Sequence, residues 1–202
     1  MPKTETPPIQ PAKTRAKSYQ DEVKMLLSMT DGFVLAGREA IYASSELTSG
    51  RRFYELCRQY NVRTKERLKE VLGSDGYAAK LLRPNEKHAI EFALDVRRRD
   101  HDVVLTPNTL FVPDWTQPDY LGFWETVIRT KCKAIFFNDG WEFSNGCTFE
   151  YLVGYQNEMA LFDRPGDLIP PSRAKHLILS AIEDLEADSF TVPELRRVYE
   201  SL

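Results

Sequence analysis

The apolar segment CKAIFF, residues 132–137, constrains the fold of this chain more than any other feature of its sequence. A helical pattern over 118–131 precedes it, and a second helix is predicted from near Asn145 to about Glu158. A short run between two helices that is apolar apart from Lys133 is typical of a fully buried strand. Strands that alternate with helices in this way predict a parallel sheet covered on both faces, an α/β fold. The other predicted strands are GFVLAG (32–37) and MALFD (159–163), and HDVVLTPNTLFV (101–112) is predicted as a strand followed by its exit loop.

The rest of the chain is predicted to be mainly helical. Apolar residues at helical spacing predict helices over 19–30, 49–60 and 63–73, and a helix that Asn85 caps and that ends near 99. Two more helices are predicted over 172–187 and 192–201, the second capped by Ser189 or Thr191. The predicted organisation is a disordered tail (1–18), an α/β domain (19–169) with a helical insertion at about 45–99, and a helical C-terminal extension (170–202).

Composition narrows the classes of function. The formal net charge of −3 argues against a protein built to coat nucleic acid or an anionic membrane. No apolar run approaches the roughly 20 residues of a membrane span, and the first residues lack the apolar stretch of a signal peptide. Three widely spaced cysteines and three histidines form no ligand spacing. We therefore expect reduced thiols in a cytoplasmic protein with no metal and no cofactor.

The segment DGWEFSNGCTFEYLVG, residues 139–154, follows the predicted strand 132–137 and is the candidate site. Ligands of open α/β sheets bind beyond the carboxyl ends of the strands. There Ser144, Asn145 and Gly146 would present backbone N–H groups to an anion or a sugar hydroxyl. Glu150 follows within the first two turns, where the helix dipole favours an ionised carboxylate. Such a carboxylate can attack an anomeric carbon, or it can be merely a favourable first-turn acid with Trp141 as a rim aromatic.

A resemblance to a known enzyme superfamily favours the interpretation of Glu150 as a nucleophile. The chain resembles the nucleoside 2-deoxyribosyltransferase superfamily, especially its small branch with Gly-Trp-Glu-x-Ser-x-Gly followed by a glutamate. FVLAG resembles the first strand of that branch and VVLTP its second, so that the likeness covers about 32–40 and 101–162. The residues that match the motif are Gly140, Trp141, Glu142, Ser144, Gly146 and Glu150.

The resemblance implies a flavodoxin-like fold, cleavage of an N-glycosidic bond in a nucleoside or nucleotide, and Glu150 as the nucleophile. Ser144 and Gly146 would bind the 5′ side of the sugar, and the loop after Gly37, with Arg38, would contact base or phosphate. It also implies a homo-oligomer whose subunits complete each other's sites.

Two features of the site stay open at this stage. The superfamily often has an aspartate on the helix before the motif, where this chain has Phe123, Trp124 and Glu125. The proton donor to the leaving base is therefore sought among Asp114, Asp119 and Asp139. Trp115 and Trp141, in predicted loops, are candidates to stack a nucleobase, whereas Trp124 is expected in the core. The alternative function is a catalytically silent nucleotide sensor or a protein-interaction module of the same fold.

Overall fold

A computed structural model describes residues 12–100 and 103–202, and it divides the chain into two compact units, Met1–Arg38 and Glu39–Leu202. In the first unit, helix α1 (Ala12–Met29) runs without a break into a π-helical turn, Thr30–Leu35. The turn ends because Ala36 and Gly37 adopt left-handed conformations, with φ of 48° and 78°. The predicted strand at 32–37 is therefore wrong, because a short apolar run is equally compatible with the end of a helix. The predicted disordered tail is helical from Ala12 on, and residues 1–11 lie outside the described part.

The second unit is built on a four-stranded parallel sheet. Its strands are β1 (Ala40–Ser44), β2 (Val103–Leu105), β3 (Cys132–Phe137) and β4 (Ala160–Phe162), in the order β2-β1-β3-β4. This is the order of the first four strands of a flavodoxin-like sheet, and the predicted α/β fold is confirmed. The third and fourth strands lie where the sequence predicts them. The second strand is followed, as predicted, by a loop that contains the turn Pro107–Thr109, and His101 and Asp102 lie outside the described residues.

Helices connect and flank the strands close to the predicted positions. Asn85 does not cap a helix, because the π-helical turn Ala78–Leu82 leads directly into the helix that begins at Arg83, and the Asn85 amide donates instead to the Leu47 carbonyl, at 3.0 Å. Val192, and neither Ser189 nor Thr191, is the N-cap of the last helix. The helices are α2 (Arg51–Gln59), α3 (Lys65–Tyr77), α4 (Arg83–Asp100), α5 (Gln117–Lys131), α6 (Asn145–Gln156), α7 (Pro171–Ala187) and α8 (Pro193–Ser201).

The two faces of the sheet bury different side chains because strand residues alternate in direction. Ile41 and Ala43 point to one face, where they pack with Phe136 against Phe92 and Val96 of α4. Helix α4 is thus the crossover helix between β1 and β2, so that, of the helices predicted as an insertion over 45–99, only α2 and α3 are additions to the parallel core. On the other face, α5 and α6 pack on β3, and α6 also packs on β4.

The C-terminal extension joins the same side of the molecule as α6. Helix α8 packs against α6 and α7. Arg58 of α2 forms ion pairs with Asp184 and Asp188 at the end of α7, at 2.9 and 2.5 Å, and the rings of Tyr54 and Phe190 meet at 5.0 Å. Helix α8 therefore belongs to the helical layer around α6, and α2 is attached to the end of α7. None of the helices over 12–100 and 103–202 is at once long and apolar enough to cross a membrane.

Helix α6 approaches the sheet closely at Gly154, and this contact can be tested. A Cβ at this position would lie 2.6 Å from Leu161 Cδ2 and 2.8 Å from Ile135 Cδ1. We expect Gly154→Val to lower the free energy of unfolding by about 1–3 kcal/mol, because a filled core resists added volume. Urea denaturation followed by circular dichroism measures it. Tyr155→Val, at a solvent-exposed neighbouring position, is the control and should change stability by under about 0.5 kcal/mol. Equal effects of the two substitutions would contradict this close packing.

Candidate active site

The candidate site lies at the carboxyl ends of β1 and β3, the two central strands. The chain leaves β1 towards β2 on one side and leaves β3 towards β4 on the other, which opens a crevice between them. After β3, Gly140 turns the chain with a left-handed φ of 83°, a 3-10 turn covers Trp141–Phe143, and α6 begins. The loop after β1, residues 45–50, borders the same crevice.

Glu150 is buried in the second turn of α6 and is bound by two hydroxyl groups of β1. Only 5% of Glu150 is exposed. The Tyr42 hydroxyl donates to Oε1 at 2.7 Å, and the Ser44 hydroxyl donates to Oε2 at 2.5 Å. Each carboxylate oxygen thus has its own donor. The side chain is held between strand and helix and still borders an open cavity.

Burial sets the electrostatics of this carboxyl group. Desolvation raises the pKa of Glu150 from 4.5 to about 7, although the hydrogen bonds from Ser44 and Tyr42 oppose the rise. Burial and the nearby Glu150 also raise the pKa of Tyr42 well above its ordinary value, so Tyr42 remains a hydrogen-bond donor at neutral pH. Desolvation therefore outweighs the effect that was expected from the helix dipole, which favours the ionised form. Near pH 7 the group is divided between carboxylate and acid.

A cavity of about 210 Å³ opens in front of Glu150. Ser45, only 5% exposed, has its hydroxyl oxygen buried here without a hydrogen-bond partner among the described residues. A buried hydroxyl without a partner costs free energy, so it is a natural contact for a polar ligand group. The cavity is lined by Ser45, Leu47, Thr48, Ser49, Pro107, Leu110, Gln117, Tyr120, Leu121, Trp124, Ser144, Gly146, Cys147 and Glu150.

The predicted turn at the start of α6 is brought together with Glu150. Ser144 is the N-cap of α6: its side chain accepts a hydrogen bond from the Cys147 N–H at 3.4 Å. Ser144 and Gly146 both line the cavity. Asn145 lines the adjoining groove instead, where its side-chain oxygen is buried without a hydrogen-bond partner among the described residues.

The aromatic residues at the cavity are not those that the sequence suggests. Trp141 is only 4% exposed and stacks on Tyr151 with ring centroids 5.1 Å apart, so its prediction as a rim or stacking residue is wrong. Trp115 packs edge-on against Tyr120 at 5.1 Å and is not part of the cavity lining. Trp124, expected in the core, is buried and also lines the cavity beside Tyr120.

None of the three candidate proton donors lines the cavity. Asp119 accepts from the backbone N–H and the hydroxyl of Thr116, at 2.7 and 2.6 Å, in a capping box that starts α5. The Asp139 side chain is 75% exposed and pairs with Arg164 at 3.4 Å. Asp114 is an exposed loop residue with a left-handed φ of 66°. Glu150 is therefore the one carboxylate among the described residues of the cavity wall.

Gly37 and Arg38 were predicted from a misplaced first strand. They precede β1 and belong to the first unit, so they cannot form the loop that follows this strand. The residues that do lie at its carboxyl end, Tyr42, Ser44 and Ser45, were missed. Their signal was the segment AIYASS, in which alternation places Tyr42 and Ser44 on the same face of a strand.

The three cysteines are free thiols, two buried and one half-buried. Burial, together with the nearby Glu150, raises the pKa of Cys147 well above its ordinary value. This makes Cys147 a poor nucleophile despite its place near a helix N-terminus. The described residues contain no group of three His, Cys, Asp or Glu side chains placed to hold a metal ion.

In comparisons with known proteins, the chain matches no family model, no curated protein and no solved structure.

The raised pKa of Glu150 predicts how stability depends on pH. In the unfolded chain Glu150 ionises near 4.5, whereas in the folded protein it keeps its proton to about pH 7. Between these values the folded state binds more protons, so its stability falls as pH rises, by up to about 3 kcal/mol from this group. Glu150→Gln has no ionisable group at this position, so its stability does not decrease in this way. Its stability relative to wild type should therefore increase from pH 4.5 to 7 and then level off.

Thermal and urea unfolding between pH 4 and 9 measure this difference. Burial also raises the pKa of Glu46 to about 7, but Glu46 contributes equally to both proteins and drops out of the comparison. Asp139→Asn, at an exposed carboxylate, is the control and should follow the wild-type curve. Parallel curves for wild type and Glu150→Gln would show that Glu150 is not a destabilising buried acid.

Proposed function

We propose that this protein cleaves the N-glycosidic bond of a nucleoside or nucleotide, by hydrolysis or by transfer of the sugar, with Glu150 as the nucleophile. The observation that supports this best is a buried carboxylate with a hydroxyl donor on each oxygen, next to a cavity at the switch point of the sheet. The motif from Gly140 to Glu150 and the flavodoxin-like strand order support membership of the nucleoside 2-deoxyribosyltransferase superfamily.

The reaction has two displacement steps. A Glu150 oxygen attacks the anomeric carbon C1′ and forms a glycosyl ester, while the bond from C1′ to the base nitrogen breaks and its electron pair leaves with the base. The base takes up one proton. Water, or a second base in a transfer reaction, then attacks C1′, gives up a proton and releases the carboxylate. For hydrolysis the sum is substrate plus water giving free base and free sugar.

Tyr42 and Ser44 are the positioning residues of this mechanism. Their hydroxyls fix both carboxylate oxygens from β1, so that the lone pairs not used in hydrogen bonds are directed without rotation of the side chain. Desolvation makes the carboxylate more basic than an exposed one, which raises its nucleophilicity once it is ionised. The same desolvation requires a pH near or above 7 for full ionisation.

One observation favours a second candidate function. A retaining mechanism uses a group that protonates the leaving base, yet Glu150 is the one carboxylate among the described residues that line the cavity. Either the base departs with a proton from water, and slowly, or the protein is a nucleotide sensor that does not turn its ligand over. The homo-oligomer and the cytoplasmic location remain predictions.

Replacement of Glu150 tests the proposal. Glu150→Gln should lose base release by at least about a thousandfold, because the amide is not a nucleophile, while its circular dichroism spectrum is unchanged. Chromatographic detection of free base from nucleosides, nucleotides and NAD measures the activity. In the wild type kcat/KM should rise with pH through a pKa of about 7, as Glu150 ionises.

Asp139→Asn is the matched control, since it removes an exposed carboxylate of the preceding turn. It should retain activity within about twofold. Undiminished base release by Glu150→Gln would contradict the proposed role of Glu150 as the nucleophile. A nucleotide that raises the melting temperature of wild type and Glu150→Gln alike, and stays intact over a day, would favour the sensor.

A further inference from the structure

A second and larger groove continues from the Glu150 cavity. It has a volume of about 650 Å³, against about 210 Å³ for the cavity. Five residues line both: Thr48, Ser49, Gln117, Leu121 and Gly146. A cavity of roughly 150 Å³ holds one benzene ring, so the space at Glu150 holds about one ring system. A ligand with a sugar and a base must therefore extend into the groove.

The outer wall of the groove comes from helices added to the parallel core. Phe53 and Tyr54 of α2, Lys65 of α3, and Arg197 and Val198 of α8 line it. Two parts of the chain that are far apart in sequence thus form one wall. With this placement, residues of the helical insertion and of the C-terminal extension would together contact the part of a ligand that lies beyond its sugar.

Two cations of this wall have no ion-pair partner among the described residues. Lys65 is half-buried at the start of α3, and burial together with the charge of Lys69 lowers its pKa. In the part of the chain that the structure describes, neither Lys65 nor Arg197 forms an ion pair, whereas their neighbours do: Arg67 pairs with Glu70 and Arg196 with Glu186. Glu194 is the one acidic residue of the groove lining. A half-buried ammonium group without a counter-ion makes a strong charge-assisted hydrogen bond to an anion that enters the groove.

We infer that the groove binds a phosphate group of the substrate through Lys65 and Arg197, and that the substrate is a nucleotide rather than an uncharged nucleoside. This inference rests on the proposed function, because it takes the sugar to lie at Glu150. The aromatic side chains of α2 and the unpaired side-chain oxygen of Asn145 give the groove the apolar and polar contacts that the rest of such a ligand requires.

Binding to the full-length Glu150→Gln protein tests the inference without turnover. Isothermal titration calorimetry is run with the four common 2′-deoxynucleosides and with their 5′-monophosphates, at low and high salt. The monophosphates should bind about tenfold more tightly or better at low salt, and this advantage should shrink as salt screens the charges. Added to the same background, Lys65→Gln or Arg197→Gln should weaken monophosphate binding about tenfold and leave nucleoside binding unchanged. Lys65→Arg should preserve the preference.

Arg196→Gln is the matched control, because Arg196 lies next to Arg197 on α8 but pairs with Glu186 and does not line the groove. It should bind both ligand classes like the parent protein. Equal affinity for nucleosides and monophosphates, binding of neither class, or a monophosphate preference that survives the Lys65→Gln/Arg197→Gln double variant would overturn the inference.

Turnover separates this inference from the proposed function. A nucleotide that binds through Lys65 and Arg197 but never releases its base counts against the glycosidic reaction alone. Base release from nucleosides and monophosphates with equal kcat/KM counts against the phosphate groove alone.

Discussion

The buried carboxyl group of Glu150, held by Tyr42 and Ser44, is the interaction on which the rest of the crevice depends. It joins β1 to α6 across more than a hundred residues of sequence, and each partner is itself fixed by packing. The Tyr42 ring contacts that of Trp124 at 5.6 Å, which brings α5 to the site, and the Ser44 carbonyl accepts from the Asn138 N–H at 3.0 Å, which ties β1 to the turn after β3. A carboxyl group in this position is expensive to desolvate, and the two hydroxyl donors offset part of that cost.

The same desolvation links stability to chemistry. An acid whose pKa is raised from 4.5 to about 7 destabilises the fold whenever it is ionised, and only the ionised form can attack a carbon. A core position of this kind would be more stable with an uncharged side chain. Proteins retain such strained groups at functional sites, so a substitution that stabilises the fold and abolishes activity is the pattern expected of a working nucleophile. A purely structural acid would lose stability on replacement instead.

The segment from β3 to α6 was predictable because its signals are local. A largely apolar run, a glycine turn and a serine N-cap specify strand, turn and helix within about twenty-five residues, and they indicated that α6 begins near Asn145 with Glu150 in its first two turns. The capping box of Thr116 and Asp119 is also a local sequence pattern. It gives a structural role to Asp119, which was considered as a proton donor. The partners of Glu150 could not be found in this way. These partners, Tyr42 and Ser44, lie in β1. The apolar run at 32–37 was predicted to be the first strand, but it forms the end of a helix, and the true first strand follows it. The groove likewise depends on how α2, α3 and α8 are placed around it, which no local pattern encodes.

The central claim is that Glu150 forms a covalent bond to the sugar, and trapping of that intermediate tests it most directly. A nucleotide substrate with fluorine at the 2′ position forms the glycosyl ester but slows its hydrolysis, because the electron-withdrawing fluorine destabilises the oxocarbenium-like transition state. Mass spectrometry of the intact protein, followed by peptide mapping, should find one fluorosugar per chain on Glu150 of the wild type and none on Glu150→Gln. Base release without any adduct, or an adduct on a different residue, would contradict the account.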